Sequence, residues 1–309
     1  MQIIDEARTT RQLPFDKLIA ALEAMFIEGC CVPLRHTHAI EGAPGDTGTL
    51  LVMPAWQPGK RLGVKTVSIF PGNKAKALPG LHSTFVLFDA GTGRPLAMLD
   101  GDTITSRRTA AASALASRYL SRPDARTLVV LGAGRVASLL PEAHRTVRPI
   151  ETVKIWDIDS QAAQRLVGRL REQGMAAEHA VDIEPAVRSA DIVSCATLSQ
   201  RPLVQGAWLQ PGAHLDLIGS FTPAMRESDD ECFRRATVFV DTEEALAKSG
   251  DILEALRSGA FEHARVAAML DALCRGQHGG RTHAGEITLF KAVGTALEDL
   301  AAASLAYDA

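Results

Sequence analysis

The stretch LVVLGAGRVASLL, residues 128–140, decides the fold of this chain. An apolar run leads into Gly132, Ala133 and Gly134, and small or apolar residues follow at helical spacing. A strand joined to a helix through closely spaced glycines is typical of a dinucleotide-binding unit, because glycine lets the backbone approach a pyrophosphate. The alternative is a tight turn in which the glycines serve only the geometry of the strand and the helix.

An acidic residue follows at the distance that a dinucleotide site requires. The next strand-like segment, TVKIWD (152–157), ends at Asp157, 25 residues after Gly132, where a carboxylate can bind the adenosine ribose hydroxyls. Asp159 follows, and no Arg or Lys occurs before Arg165, so a 2′-phosphate would meet a carboxylate with no cation to offset it. The sequence therefore favours NAD(H) over NADP(H). We expect six residues to contact the cofactor: Gly132, Ala133, Gly134, Arg135, Val136 and Asp157.

The segments after residue 122 alternate between single strands and helices. Strand-like runs occur at 126–132, 152–157, 191–197, 214–219 and 236–241, and helical patterns include one from the glycine loop to about Arg148 and one over 160–174. This alternation predicts a parallel sheet covered on both faces, a doubly wound α/β fold. Ligand contacts in such a sheet fall at the carboxyl ends of the strands. These ends hold Ala196, Thr197, Gly219 and Ser220, which are ordinary strand ends in the alternative interpretation.

The residues before 122 predict a unit of the α+β kind. Helical spacing covers 14–28, strand-like runs cover 49–55, 61–70 and 83–100, and an Ala-rich helix with Thr or Ser at its N-cap covers 103–120. The run over 83–100 contains the hairpin signal DAGTGRP. The last segment, 286–309, predicts one amphipathic helix after a short extended lead.

Three cations of the N-terminal part lie where a solvated charge would be unusual. Lys65 interrupts the apolar run LGVKTVSIF, Arg108 precedes the small residues TAAASAL, and Arg35 follows CCVPL. A buried cation needs a partner, and an anionic ligand is a natural one. Arg offers a fork for a carboxylate, while Lys is a point donor whose pKa falls on desolvation. Taken singly, each cation is better explained as a member of a structural ion pair. Taken with a nicotinamide site, the three indicate a substrate that bears a carboxylate.

Composition narrows the classes of function. The net charge of −3 and the lack of a basic run argue against a nucleic-acid partner. No apolar stretch could span a bilayer and no signal-peptide pattern opens the chain, so we expect a cytoplasmic protein with no membrane partner. The five cysteines include no CxxC and are predicted to be buried free thiols, and the nine histidines lack ligand spacing, so no metal is expected.

Motifs spread over nearly the full chain carry a family resemblance. They are VMPA (52–55), GVK (63–65), ITSRRTAA (104–111), LGAGRVA (131–137), WDID (156–159), PGAHLDLIGSFTPAMRE (211–227) and GEITLFKAVGTALEDLAAA (285–303). The combination of TxxRTAA before the glycine loop and EITLFKxxG near the end is specific. In these motifs the chain resembles the ornithine cyclodeaminase/mu-crystallin family.

The resemblance implies a homodimer of two-domain chains. A Rossmann domain over 122–284 would bind the cofactor, and an α+β domain over 1–121 with 285–309 would carry the substrate and dimer contacts, joined by the returning C-terminal helix. The resemblance further implies roles for individual residues. Arg35, Lys65 and Arg108 would bind the substrate carboxylate, with Lys65 also catalytic, Thr109 would meet the pyrophosphate, and the segment around Phe290 and Val293 would lie near the nicotinamide.

Two departures from the cyclodeaminase pattern bear on the reaction. Leu51 and Phe221 occupy positions at which ornithine cyclodeaminases resemble one another in carrying Glu and Asp. The runs GSFTPAMRESDDE (219–231) and VDTEEALAKSGD (240–251) are instead similar to the ketimine reductase version. The expected activity is therefore NAD(P)H-dependent reduction of a small cyclic imine carboxylate. The alternatives are ornithine cyclodeaminase, an alanine dehydrogenase-like enzyme and a non-catalytic nucleotide-binding protein.

Overall fold

The computed structural model describes residues 1–42, 47–76 and 78–309. The chain divides into two compact units. The first unit comprises Met1–Arg108 and Thr295–Ala309, and the second unit comprises Thr109–Gly294. These boundaries differ from the expected ones at 121/122 and 284/285, for reasons that lie in the second sheet.

A six-stranded sheet forms the first unit's framework. Its strands are β1 (Gln2–Ile4), β2 (His36–Ile40), β3 (Gly48–Trp56), β4 (Arg61–Ile69), β5 (Leu81–Asp89) and β6 (Pro95–Asp100), in the order β1-β6-β5-β4-β3-β2. The β1–β6 pair is parallel and the other pairs are antiparallel. The hairpin predicted over 83–100 is confirmed as β5 and β6.

Helices cover one face of this sheet. They are α1 (Glu6–Gln12), α2 (Phe15–Glu28), the start of α3 (Gly101–Leu120) and the C-terminal helix (Ala296–Asp308), which packs against α2, β3, β4 and β5. The helices predicted over 14–28 and 103–120 are confirmed. The predicted cap of the second is wrong, because Asp100 Oδ1 accepts a hydrogen bond from the N–H of Thr103 at 2.7 Å, so Asp100 takes the place of Thr or Ser.

Alternation along the strands separates the two faces of the sheet. On β4, Gly63, Lys65 and Val67 are buried, and the residues between them are half-buried. The opposite face carries an apolar row in which Pro54, Val64, Val86 and Met98 lie side by side on β3, β4, β5 and β6. All four members of this row, which we call the outer row, are half-buried.

Eight strands, all pairing in parallel, form the sheet of the second unit. They are β7 (Thr127–Leu131), β8 (Thr152–Trp156), β9 (Ala176–His179), β10 (Ile192–Cys195), β11 (His214–Leu217), β12 (Thr237–Val240), β13 (Val266–Met269) and β14 (Thr288–Lys291), in the order β13-β12-β14-β11-β10-β7-β8-β9. The connecting helices are α4 (Leu140–Arg145), α5 (Ser160–Glu172), α6 (Ile183–Arg188), α7 (Asp230–Arg235), α8 (Glu244–Lys248), α9 (Gly250–Arg257) and α10 (Leu270–Cys274). The predicted Rossmann-type α/β fold is confirmed.

Strand β14 explains why the boundaries differ. It lies between β11 and β12, so the lead expected before the last helix is an inner strand of the second sheet. The end of α3 is held there too, since Ser113 Oγ donates to Asp216 Oδ1 at 3.1 Å and Thr288 Oγ1 donates to the Leu120 carbonyl at 2.8 Å. A strand of only four residues, TLFK, gives no local signal of which sheet it will join.

The helix expected directly after the glycine loop is broken. A 3₁₀ turn over Ala137–Leu139 precedes α4, which ends at Arg145 rather than near Arg148. Pro141 has no N–H to donate to the carbonyl of Ala137, so a continuous α-helix from the loop cannot form.

Two further observations concern membranes and thiols. In the described ranges, no helix is both long and apolar enough to cross a membrane. All five cysteines, each within those ranges, are free thiols. Cys195, Cys232 and Cys274 are buried as predicted, whereas Cys31 is exposed and Cys30 half-buried, because both follow the end of α2 in an irregular segment.

Candidate active site

The glycine loop lies where the strand order of the second sheet reverses. Gly132 and Ala196 follow the neighbouring strands β7 and β10, whose sequential successors continue on opposite sides. Gly132 has φ +118°, and a Cβ there would lie 2.7 Å from the Ala196 carbonyl oxygen. At Gly134 a Cβ would meet nothing within 4 Å. The backbone at Gly132 therefore packs closely against Ala196, while the space beside Gly134 is open. This combination fits a bound pyrophosphate.

Asp157 is fixed beside this loop. Its Oδ2 accepts a hydrogen bond from the N–H of Ala133 at 2.7 Å, and its Oδ1 accepts one from the N–H of Asp159 at 2.8 Å. Asp157 is half-buried. Asp159 caps α5 by accepting from the N–H groups of Gln161 and Ala162. Residues 132–134 and Asp157 are thus adjacent, as a ribose–pyrophosphate site would require.

Exposed apolar side chains mark the same edge of the sheet. In the second unit, every residue of which the structure describes, the large hydrophobic side chains that are exposed are Ile158 (92%), Val181 (75%), Leu198 (71%) and Phe221 (46%). They follow the carboxyl ends of β8, β9, β10 and β11. An apolar edge of this kind suits the flat rings of a dinucleotide.

Glu227 organises the strand ends at which Thr197 and Gly219 were predicted to bind cofactor. Its Oε1 accepts hydrogen bonds from the N–H and the hydroxyl of Thr197, both at 2.7 Å. A Cβ on Gly219 would lie 2.3 Å from this carboxylate, so a larger residue there would displace the Glu227 side chain. Burial raises the pKa of Glu227 to about 7, and the charge of Lys291 opposes that rise.

Lys291 adds a buried charge at the end of β14. Its Nζ lies 3.8 Å from Asp251 Oδ2, and both side chains are fully buried. Asp251 Oδ1 accepts from the N–H of Glu227 and from both the N–H and the hydroxyl of Ser228. The sequence analysis missed Glu227, Asp251 and Lys291, although Glu227 and Asp251 end quoted motifs and Lys291 follows the apolar residues of another.

The C-terminal end of this unit is held by a further buried carboxylate. Asp241 Oδ2 accepts from the N–H groups of Val293 at 2.7 Å and Gly294 at 2.6 Å, and burial raises the pKa of Asp241. Val293 is half-buried just beyond β14. Phe290 is fully buried within β14, and the expected position of the segment around Phe290 and Val293 near the nicotinamide stays a prediction.

The remaining predicted cofactor residues lie as follows. Arg135 is exposed and Val136 half-buried in the turn after the glycine loop, and Thr109 is half-buried on α3. Within the part of the chain that the structure describes, no group of three His, Cys, Asp or Glu side chains could hold a metal ion.

Lys65 and Arg108 form a buried charge cluster in the first unit. Lys65 Nζ lies 2.7 Å from Asp299 Oδ2 and donates to Thr105 Oγ1 at 3.2 Å. Arg108 donates from Nε to Asp299 Oδ1 at 2.9 Å and from Nη1 to Glu298 Oε2 at 2.5 Å. Both carboxylates are completely buried, on the C-terminal helix. The cations therefore have structural partners, one of the two alternatives that the sequence left open.

Burial and the charge of neighbouring side chains of opposite sign shift the pKa values of this cluster in opposite directions. Burial lowers the pKa of Lys65 to about 8; Asp299 counteracts the shift, and the charges of Arg108 and Arg35 add to it. For Arg108, Asp299 and Glu298 outweigh the effect of burial and raise its pKa. The pKa of Asp299 is lowered, since Lys65 and Arg108 outweigh its burial.

Arg35 belongs to the same electrostatic neighbourhood. It is half-buried just before β2, and its charge is felt at Lys65. The structure thus brings together the three cations that the sequence singled out. It adds Glu298 and Asp299, which the sequence analysis missed. Their signal was two adjacent acids within the otherwise apolar helix TALEDLAAA (295–303).

The fold and these residues define a Rossmann-type dinucleotide-binding protein whose first unit carries buried cations. Its sequence is matched by a family model over residues 3–309, and the chain belongs to the ornithine cyclodeaminase/mu-crystallin family. The Delta(1)-pyrroline-2-carboxylate reductase of Paracoccus denitrificans is 41% identical over 98% of this chain and 95% of its own length.

Solved structures agree with this assignment. The Thermococcus litoralis Delta(1)-pyrroline-2-carboxylate reductase in complex with NADH and L-proline superposes with a TM-score of 0.93 and 33% identity, covering 100% of this chain and 97% of its own. An archaeal alanine dehydrogenase dimer with bound NAD gives a TM-score of 0.91 and 30% identity, covering 100% and 95%.

Proposed function

We propose that the protein is an NAD(H)-dependent reductase that converts a small cyclic imine carboxylate into the corresponding cyclic amino acid. The observation that carries this proposal is the buried pair Lys65 and Arg108, fixed by the carboxylates of Asp299 and Glu298. A point donor beside a guanidinium suits a substrate with a nitrogen to protonate and a carboxylate to hold. The pyrroline-2-carboxylate reductases among the relatives support the same class of substrate.

The residues divide the reaction between them. When bound, the reduced nicotinamide supplies the hydride for the imine carbon, and the reaction also needs one proton at the imine nitrogen. Burial lowers the pKa of Lys65 to about 8. The ammonium group is therefore charged at pH 7, and its pKa is near enough to that pH for it to release a proton. Arg108 commits Nε and Nη1 to carboxylates, which leaves Nη2 for the substrate carboxylate.

The side chain at position 221 favours a reductase over a cyclodeaminase. Phe221 follows β11 at the carboxyl edge of the sheet and is 46% exposed. A phenyl ring can neither move a proton nor form a salt bridge with a side-chain ammonium group, which are the tasks that an acid at this position would perform in a cyclodeaminase. Reduction of an imine that is already cyclic has no side-chain amine to bind, and Lys65 is the proposed donor of the one proton that it needs.

Turnover with defined substrates tests the proposal. We expect the purified protein to oxidise NADH with pyrroline-2-carboxylate or piperideine-2-carboxylate and to form proline or pipecolate, and to release no ammonia from ornithine with NAD⁺. Lys65→Met should lower kcat at least 100-fold and leave the NADH Kd unchanged. Lack of turnover with both imines, or ammonia release from ornithine, would refute the assignment.

We also propose that NADH is preferred to NADPH. The support is the Asp157 carboxylate, which hydrogen bonds fix beside the glycine loop and which would repel a 2′-phosphate. Asp157→Ser should raise the ratio of kcat/KM for NADPH to that for NADH at least tenfold. Asp159→Ser, which keeps a capping oxygen on α5, serves as the matched control and should leave the ratio within twofold. Wild-type protein that favours NADPH would contradict the preference.

A second copy of the chain is the partner that we propose for the outer row. Four apolar side chains in register on four strands form a continuous row, and the alanine dehydrogenase relative is a dimer. Val64→Asp at the middle of the row should convert a dimer to a monomer in analytical ultracentrifugation. Lys17→Glu, on the exposed side of α2, should not. A monomeric wild type would overturn this proposal.

A cytoplasmic location is also proposed. Five free cysteines support it, because such thiols persist in a reducing compartment. Fractionation of cells that express the tagged chain should recover it with cytoplasmic markers, and recovery with an oxidising compartment would contradict the proposal.

A further inference from the structure

Asp299 contacts both cations of the proposed substrate site. Its Oδ2 lies 2.7 Å from Lys65 Nζ, and its Oδ1 accepts from Arg108 Nε at 2.9 Å. The three side chains come from three separate elements of the first unit: β4, α3 and the C-terminal helix. We propose that Asp299 is a positioning residue, which sets the spacing between Lys65 as the proton donor and Arg108 as the carboxylate-binding group. This proposal rests on the proposed function.

The charges explain why one carboxylate holds both groups. Lys65 and Arg108 are almost completely buried, so water screens their mutual repulsion poorly. Asp299 lies between them and offers one oxygen to each. Glu298 accepts from Nη1 of Arg108 and so supplies that guanidinium with a second carboxylate. Removal of Asp299 would thus leave Arg108 with a partner and deprive Lys65 of its counter-charge.

This arrangement makes the charge on Lys65 depend on Asp299. Burial and the neighbouring cations Arg108 and Arg35 all lower the pKa of Lys65, and Asp299 is the group that raises it. Without the carboxylate, the pKa of Lys65 falls below about 8. An opposite charge at this range shifts a pKa by about 1–3 units. A residue that only filled space would not alter the titration of Lys65.

A titration that needs no substrate tests the proposal independently of the function. The ε-carbon of lysine is labelled with ¹³C in the whole protein, and the Lys65 signal is assigned by its loss in Lys65→Met. We expect its NMR titration midpoint to fall by one pH unit or more in Asp299→Asn. Glu298→Gln, the matched control on the adjacent residue, should shift the midpoint by less than 0.3 unit.

Kinetics with the imine substrate then separate the two carboxylates. In Asp299→Asn, the alkaline decline of kcat should move to lower pH by the amount seen in the titration, with a loss of about tenfold at pH 9. Glu298→Gln should instead raise the KM for the imine and keep the pH profile. If the wild type reduces no imine, the proposed function fails, and the titration still decides the role of Asp299.

Folding supplies a further test if Asp299→Asn is unstable. Exchange of Lys65 for Met removes the uncompensated charge, so the double variant Lys65→Met/Asp299→Asn should unfold at a higher temperature than Asp299→Asn alone. Equal unfolding temperatures for the single and double variants would overturn the proposal. An unchanged Lys65 titration in Asp299→Asn would do so as well.

Discussion

Substitutions at the two glycines of the loop should affect different properties: one the free energy of unfolding and the other the affinity for NADH. At Gly134 a Cβ would meet nothing within 4 Å, and φ lies outside the left-handed region. Gly134→Ala should therefore change the free energy of unfolding by no more than about 1 kcal/mol, with the smaller entropy of the unfolded chain favouring the variant. The added methyl group would occupy the open space of the loop and should weaken NADH binding at least tenfold, about 1.4 kcal/mol.

Gly132→Ala should instead lower the free energy of unfolding. Its φ of +118° disfavours any L side chain, and the new Cβ would lie 2.7 Å from the Ala196 carbonyl oxygen. The strained backbone costs about 1–2 kcal/mol, and relief of the clash brings the loss to about 2–4 kcal/mol. For a unit of this size, that loss lowers Tm by about 5–15 °C.

Calorimetric unfolding and isothermal titration with NADH measure both quantities on the same samples. If Gly134→Ala binds NADH within twofold of the wild type, the loop does not hold the pyrophosphate. If Gly132→Ala unfolds at the wild-type temperature, the close approach of β7 and β10 does not require glycine.

Three further changes test the packing and the buried charges. Phe85 is fully buried with its ring against Gly63, so Phe85→Ala should cost about 3–5 kcal/mol in guanidinium unfolding, and a loss under 1 kcal/mol would contradict the packing. The raised pKa of Glu227 contributes stability that is present below pH 4.5 and is lost as the pH rises through about 7. The Tm of Glu227→Gln should therefore rise relative to that of the wild type between pH 5 and 8. A Tm difference between the two proteins that does not change with pH would refute this. Arg108→Lys loses the guanidinium fork and should raise the KM for the imine about 10- to 100-fold with the KM for NADH unchanged; equal changes in both would argue against its role at the substrate carboxylate.

Much of the second unit follows from local sequence. The glycine loop, Asp157 and the alternating strands were predicted because each depends on residues close in the chain, through periodicity and turn chemistry. The broken helix after the loop was not, although Pro141 gave a local reason for it. The unusual positions of Lys65 and Arg108 were also visible, since a cation inside an apolar or small-residue run stands out.

The sequence by itself determined the fold class, the family and the identity of the buried cations. Only the tertiary structure decided what those cations contact, that Asp299 bridges them, and that residues 288–291 join the second sheet. The physical reason is separation along the chain. Arg108 and Asp299 are 191 positions apart, and no periodicity links residues at that distance. Their contact exists because burial of two apolar surfaces carries the charges inside, where each must find a partner of opposite sign.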